Sequence, residues 1–453
     1  MAKGLDAKHA IWYVLLFGLI IRIIALYFAS KSPLASDALS YHIMAEHLTR
    51  NGIFVPWFPP GLPYYISLWF SLFGISEFVS RISIIVLYAM TAGVLYLLTL
   101  KLSNRRAANI AVCIITLLPQ FVLQSVDPLS QLPTALCLLS MVYLSVLLIE
   151  ARSKTIVRFA VPVIGLVLGW AVLVRPSCLV LTLVVPLYLL YRTKRIWIGL
   201  LPFLIAVAIL SAWLYKADKM LGRFIAINEA NTANFFFGNN PYTPLYKTWW
   251  FGSHGSDTTL VPGGFTAMYD SVTSLPPKER DAAFRKIVLR HIGARPDLFV
   301  MRTASRIRTY FAFDYSTGSS LRGFYSFSTP MSLLAIAVDT LFYFLTTALV
   351  ILFFATRKNY NITSNQMVLV LGIMICYSFP YWLSFSHPNY RFPIVPFLAV
   401  LAGIAADDLL RSGKASLLQV LHLPPKHRRI LIAVLVLFCY IQIEWIFFNL
   451  SRI

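Results

Sequence analysis

The sequence predicts an all-α polytopic membrane protein with about eleven transmembrane helices. Three observations predict it. Of 453 residues, 58% are hydrophobic and only 13% charged, a composition that excludes a soluble globular domain. The apolar residues fall in repeated runs of about 18–25, the length a helix needs to cross a bilayer core. Lysines and arginines cluster in every second short loop, the asymmetry that marks cytoplasmic connections.

The predicted spans are 10–30, 78–100, 107–125, 129–149, 158–174, 176–191, 196–215, 331–355, 366–384, 392–409 and 430–450. Lys3 and Lys8 precede the first, and Arg22 interrupts it. Its apolar stretch is longer and more charged than a cleaved signal peptide, so a retained helix is expected. Arg22, near mid-membrane, needs a partner or water, and its partner cannot be named from sequence. Arg175-Pro176 separates the fifth and sixth spans, and the apolar stretch 62–73 is too short to cross, so it is expected in the interface or dipping in.

The basic loops carry Lys101, Arg105 and Arg106, then Arg152, Lys154 and Arg158, then Arg192, Lys194 and Arg195. Arg357 with Lys358 follow, then Arg411, Lys414, Lys426, Arg428 and Arg429, whereas the alternate short loops hold only Arg175 and Arg391. The N-terminus is therefore expected in the cytoplasm and the C-terminus outside, in a multi-pass protein of the cell inner (plasma) membrane. The net charge of +21 suits an anionic leaflet of the lipid bilayer and no nucleic acid. Five cysteines sit in apolar spans without metal-type spacing and imply no disulfide framework.

This division gives an N-terminal transmembrane module (1–215) with a first outer loop (31–77), an extracytoplasmic segment (216–330) and a C-terminal transmembrane module (331–453). The outer segment carries fourteen basic and eight acidic residues, a net +6 that favours an anionic substrate. Within it "PPKERDAAFRKIVLRHI" reads as an amphipathic helix with Ala283, Ile287, Val288 and His291 near one face. "ARPDLFVMRTASRIRTYF" reads as another, started by Pro296. Both are expected on the membrane surface.

Four stretches lie in register with this topology: "DALSY" from Asp37 followed by "A-x-x-L", "PPGLPYYISLWFSLFG", "VRPSCLVLTLVVPLYLL" and "HPNYRFPIVPFLAVLAGIA". Together they resemble the glycosyltransferase-C (GT-C) superfamily, in its dolichyl-phosphate-mannose protein mannosyltransferase-like branch, which includes bacterial undecaprenyl-phosphate-sugar transferases. The resemblance implies a GT-C-type fold, with amphipathic helices in the first and the long outer loops. It also implies an integral-membrane glycosyltransferase that moves a sugar from a polyprenyl-phosphate-linked donor to an acceptor hydroxyl. The chain departs from the branch at Phe58, where many members are basic, and at Ala38, where many are acidic.

The chemistry is consistent with that inventory. A lipid-phosphate sugar carries its own leaving group, so one carboxylate suffices to take the acceptor proton. Fixed cations and donors stabilise the departing phosphate. No facing carboxylate pair of the glycosidase kind and no DxD is present, so an inverting, metal-independent reaction without cofactors is expected. Asp37 is the candidate base; its plain alternative, following the cap-type Ser36, is a charge that favours a helix N-terminus. Tyr41 shares its face one turn on, and Glu46, off that face, reads as a solvated charge. Arg175 either snorkels to headgroups or contacts the phosphate. Tyr390 and Arg391, in a short loop pinned by Pro388 and Pro393, are candidates for bidentate phosphate binding, with His387 beside them. Asn239, Asn240, Trp249 and Trp250 either hold a sugar or anchor the segment at the interface. Arg306 and Arg308 face phosphate or headgroups, and the residues do not decide which.

The acceptor is left open among glycan, lipid and protein. A polysaccharide polymerase or ligase would also show large arginine-rich outer loops, but without the "DALSY…PPGLP" start. A transporter would show related halves, and none is visible.

Overall fold

A computed structural model of the chain describes residues 10–52, 57–245, 263–360, 362–413, 420 and 422–449. These form helices and turns, with no strand among the described residues. In chain order the helices are α1 (Ala10–Ala29), α2 (Ser36–Asn51), α3 (Gly61–Phe73), α4 (Glu77–Leu102), α5 (Arg105–Leu117), α6 (Pro119–Gln124), α7 (Gln131–Glu150) and α8 (Lys154–Val174). There follow α9 (Leu181–Thr193), α10 (Ile196–Leu221), α11 (Ala230–Gly238), α12 (Gly263–Thr273), α13 (Pro277–Ala294), α14 (Pro296–Tyr310) and α15 (Ser316–Gly323). The last are α16 (Thr329–Ala355), α17 (Ser364–Leu383), α18 (Val395–Ser412) and α19 (Pro425–Asn449). Short 3₁₀ turns at Pro176–Val180 and Pro388–Ile394 lead into α9 and α18.

Among the described residues, ten helices are long and apolar enough to cross a membrane, and they match ten of the predicted spans. The protein is a multi-pass membrane protein. The exception is 107–125, which is not one helix but two, broken at Leu118. Pro119 has no N–H to offer the Ile115 carbonyl, and its ring moves Leu118 into extended backbone (ψ 116°). Such a break survives in a bilayer only where other groups satisfy the freed backbone.

Arg22 does this. Its Nη2 donates to the Ile115 carbonyl (3.2 Å) and its Nη1 to that of Thr116 (2.6 Å). Its Nε donates to Ser125 Oγ (3.1 Å), and the guanidinium lies 3.7 Å over the Tyr88 ring. Across the break, Asp339 of α16 accepts from the Gln120 N–H (2.9 Å). The partner of the mid-membrane arginine is thus the loose end of a helix. Arg22→Leu leaves two buried carbonyls unpaired at a cost of about 1–3 kcal/mol each. A thermal unfolding midpoint several degrees lower in detergent is expected; an unchanged midpoint would show that these bonds contribute nothing.

Close helix approach relies on small residues, as expected between spans. Gly165 and Gly169 of α8 admit Pro202 and Ile209 of α10, and Gly403 of α18 admits Ala107 and Ala111 of α5. At one end of the bundle the basic turns meet their counter-charges. Lys101 pairs with Glu150 (2.8 Å), and Asn104 donates to Asp407 (2.7 Å). The opposite end carries α2, α3, the segment after α10 and the turn before α18. They are tied together where Asn228 donates to the Trp57 carbonyl (3.0 Å) and Asn239 to that of Leu383 (2.9 Å).

Both predicted amphipathic segments are helices, α13 and α14. Phe284 and Val288 of α13 are buried, and Phe284 packs on Phe236 of α11 with ring centroids 4.6 Å apart. Phe265 and Tyr269 of α12 complete this aromatic layer. The short stretch 62–73 is α3, a helix of 13 residues. Gly61 of the "PPGLP" motif has a spatial reason: a Cβ there would meet the Val174 backbone nitrogen at 2.6 Å. The start of α3 therefore rests against the end of α8, one residue from Arg175.

Candidate active site

Asp37 stands at the beginning of α2, where two recesses meet. The preceding Ser36 adopts a left-handed backbone (φ 53°), and the cap position is Ala35, without a side-chain cap. Ser36 therefore does not cap the helix; it holds a strained turn next to the carboxylate, a conformation that costs about 1–3 kcal/mol. The Asp37 side chain is exposed, yet protein surrounds it on both sides. The resulting loss of bulk water raises its pKa above the ordinary carboxylate value, and the nearby positive charge of Arg175 opposes the rise. Among the described residues no group hydrogen-bonds this carboxylate.

The larger recess, about 500 Å³, is lined by Asp37, Tyr41, Arg175, Tyr381 and Tyr390 together with apolar side chains such as Phe58, Leu179 and Phe235. Arg175 is held by neutral partners. Its Nε donates to Ser130 Oγ (3.3 Å) and Nη1 to Tyr377 Oη (3.0 Å). The rings of Tyr390 and Tyr381 flank its guanidinium at 5.8 and 5.9 Å. Those two rings stack on one another at 4.9 Å, and Ser177 Oγ shares a hydrogen bond with Tyr381 Oη (3.0 Å). Tyr41 is buried against Phe58, with centroids 5.0 Å apart. Burial pushes its phenol up to about 12, despite a hydrogen bond with Ser130. Without a carboxylate salt bridge, Arg175 keeps a net positive charge facing the recess, which can receive an anion.

The smaller recess, about 180 Å³, has another character. Gln120, Gln124, Asp127, Gln131, Ser316 and Asn389 line it with Asp37, and none of its lining residues is Lys, Arg or His. Asp127 is engaged on both oxygens: Arg81 donates to Oδ1 (2.7 Å) and the Tyr325 hydroxyl to Oδ2. Burial raises the Asp127 pKa, with Tyr325 and Arg81 opposing. Gln120 donates to Asp314 (2.6 Å), and Gln124 donates to Asn389 (2.5 Å). Of the two carboxylates in this recess, Asp37 is the unengaged one.

The structure thus brings together Asp37, Tyr41, Arg175 and Tyr390, from regions separated by up to some 350 positions. It uses the others elsewhere. Arg391 is buried; its Nη1 donates to the carbonyls of Tyr310 (2.8 Å) and Ala312 (2.9 Å), and its guanidinium lies 4.1 Å over Tyr343. It points away from the recess that its neighbour lines. His387 Nδ1 accepts from the Asn389 N–H (3.1 Å) and so caps the turn before α18. Asn239 and Asn240 are buried, donating to Leu383 and to Phe236, while Arg306 donates to Asn239 (3.1 Å) and the Gly238 carbonyl. Arg308 pairs with Glu444. Trp249 and Trp250 lie outside the described residues.

Arg391→Ala should therefore act on stability. It frees two buried carbonyls, so a loss of about 1–3 kcal/mol for each is expected in unfolding, with affinity for bare polyprenyl phosphate unchanged. An affinity drop in a fully stable Arg391→Ala protein would return the residue to the donor site.

Gln120, Gln124 and Asn389 were not expected in the site. Their signal was present: "PQFVLQ" places two glutamines four apart, on one helix face, inside an apolar stretch. Among the described residues, no group of three or more His, Cys, Asp or Glu side chains forms a metal-type cluster.

A family model described as dolichyl-phosphate-mannose-protein mannosyltransferase matches residues 58–215. No curated protein matches the sequence. Among solved structures, the oligosaccharyltransferase AglB from Archaeoglobus fulgidus, in complex with an inhibitory peptide and a dolichol-phosphate, superposes with a TM-score of 0.53 at 13% identity. The match covers 97% of this chain and 55% of AglB. The apo form of the Archaeoglobus fulgidus oligosaccharyltransferase gives 0.52 at 16% identity, over 97% and 55%. ArnT from Cupriavidus metallidurans bound to undecaprenyl phosphate gives 0.43 at 14% identity, over 89% and 79%, a likeness too loose to argue from. The chain spans about half the length of the oligosaccharyltransferase. The fold is of the GT-C type that the sequence resemblance implied.

Proposed function

We propose that the protein transfers a sugar from a polyprenyl-phosphate carrier to an acceptor hydroxyl on the extracytoplasmic face of the plasma membrane. Asp37 carries this proposal, because it stands unpaired between a recess with a cation and a recess with none. The donor phosphate takes the larger recess against Arg175, where the tyrosine hydroxyls add neutral hydrogen bonds. The acceptor hydroxyl enters from the smaller one. Its oxygen forms the new bond to the anomeric carbon, its proton passes to the Asp37 carboxylate, and the bond from that carbon to the phosphate oxygen breaks with its electron pair. Polyprenyl phosphate leaves, and Asp37 returns the proton to solvent. Attack opposite the leaving group inverts the anomeric centre.

Arg175 and the tyrosine hydroxyls gain strength as charge builds on the leaving phosphate, so their help is greatest in the transition state. Loop charges support an N-terminus in the cytoplasm and a C-terminus outside. The test is comparative mass spectrometry of envelope glycans with and without the protein, paired with release of polyprenyl phosphate from labelled polyprenyl-phosphate sugars by the purified chain. Loss of one sugar in the deletion strain and matching release in vitro are expected. Unchanged glycans and no release from any hexosyl or pentosyl donor would overturn the proposal.

A further inference from the structure

We propose that the acceptor is an amphiphile, with a neutral hydroxyl-bearing head in the smaller recess and a hydrocarbon chain in an apolar cavity beside it. This rests on the transferase function proposed above. The cavity, about 270 Å³, is walled by Ala25, Phe28, Val122, Leu123, Leu321 and Phe327, among others. It adjoins the recess, since Leu123 and Thr317 line both. Tyr325 divides them: its ring faces the apolar cavity, while its hydroxyl donates to Asp127 in the polar recess. One step of about a ring's width takes a ligand from hydrocarbon surroundings to hydrogen-bonding ones.

The head group is specified by what the recess lacks. Gln124 and Gln131 are 4% and 6% exposed, and their Oε1 atoms have no hydrogen-bond partner. Buried acceptors of this kind call for donors, which sugar or polyol hydroxyls supply. With no Lys, Arg or His in the lining and two carboxylates present, an anionic head is disfavoured. The chain is specified by the cavity's outer wall. That wall is α1, whose Ile24, Tyr27 and Phe28 are exposed apolar side chains facing where the bilayer lies. A hydrocarbon chain can enter sideways from the membrane, whereas a soluble peptide or polymer would leave an apolar cavity beside its site unfilled.

The experiment uses the full chain in lipid nanodiscs and a hexadecyl glucoside with a photoreactive diazirine at the chain end. After irradiation, labelled peptides are mapped by mass spectrometry. Label is expected in 317–327 and 117–123, and Ala25→Phe, which fills the cavity, should reduce it at least fivefold. Label on the exposed face of α9, around Leu183 and Leu187, should not change. Leu321→Trp fills the cavity from the other wall and serves if Ala25→Phe fails to fold. Equal labelling in parent and filled variants would overturn the proposal. So would photoreactive undecaprenyl phosphate labelling the same peptides and losing that label in Ala25→Phe, since the cavity would then hold the donor's tail. Failure of the chain to bind undecaprenyl phosphate through Arg175 would instead sink the transferase function, with the glucoside map still deciding the cavity.

Discussion

Asp37→Asn should lower single-turnover transfer about a hundredfold or more, with affinity for polyprenyl phosphate close to that of the parent. Asparagine keeps the shape of the side chain but cannot take a proton from the acceptor hydroxyl. Among the described residues nothing hydrogen-bonds the Asp37 carboxylate, so the exchange breaks no structural contact. The neighbouring acid behaves oppositely. Asp127→Asn weakens a carboxylate paired with the buried Arg81, and removal of one partner from such a pair costs about 3–5 kcal/mol. The two variants should therefore separate: Asp37→Asn folded and inactive, Asp127→Asn unstable. Transfer at the parental rate by stable Asp37→Asn protein would remove Asp37 from the chemistry.

Arg175→Gln should produce the other large effect, a loss of about 10²–10³ in transfer at neutral pH, as for removal of one charge-stabilising donor. Weaker binding of polyprenyl phosphate should accompany it, since the phosphate loses its cation in the ground state too. A second signature distinguishes this from general damage. The charge of Arg175 lowers the Asp37 pKa against the rise that burial causes. Without that charge the pKa climbs further, and Asp37 stays protonated to higher pH. Because the base must be ionised, the acid limb of the rate profile moves upward in Arg175→Gln. Arg175→Lys keeps the charge without the fork, so its limb should stay near that of the parent while its rate falls between the two. If the acid limb of Arg175→Gln coincides with that of the parent, the two residues are not coupled.

How legible this was in the sequence depended on the range of the interactions involved. Spans were readable because each buries its own backbone polar groups, so length and apolarity suffice. Only Pro119 broke that logic, and the apolar residues on either side of it disguised the break. Asp37 and Tyr41 were readable together because one helical turn separates them. Arg175 and Tyr390 joined them through the ordered motifs and the topology. The backbone contacts of Arg391 and Asn239 were not readable, for a common reason. A polar side chain on an outer loop looks available until the backbone it serves is known, and here that backbone is over 70 positions away for Arg391 and over 140 for Asn239. Hydrogen bonds of that range leave no trace in local pattern.

The two caps of the broken helix come late and early in the chain, and this bears on biogenesis. Arg22 is inserted first, while Asp339 emerges more than 200 residues after the Gln120 N–H it accepts. Until α16 arrives, the first turn of α6 lacks its acceptor, and Gln120 and Gln124 of the smaller recess have no fixed register. The N-terminal spans can thus enter the membrane while the place for chemistry is still unmade. Asp37 would enter with the first spans, long before the smaller recess could form, and that recess would be completed only with the insertion of the eighth crossing, counting the broken pair as one. Truncation before Thr329 should leave a membrane-inserted but inert product.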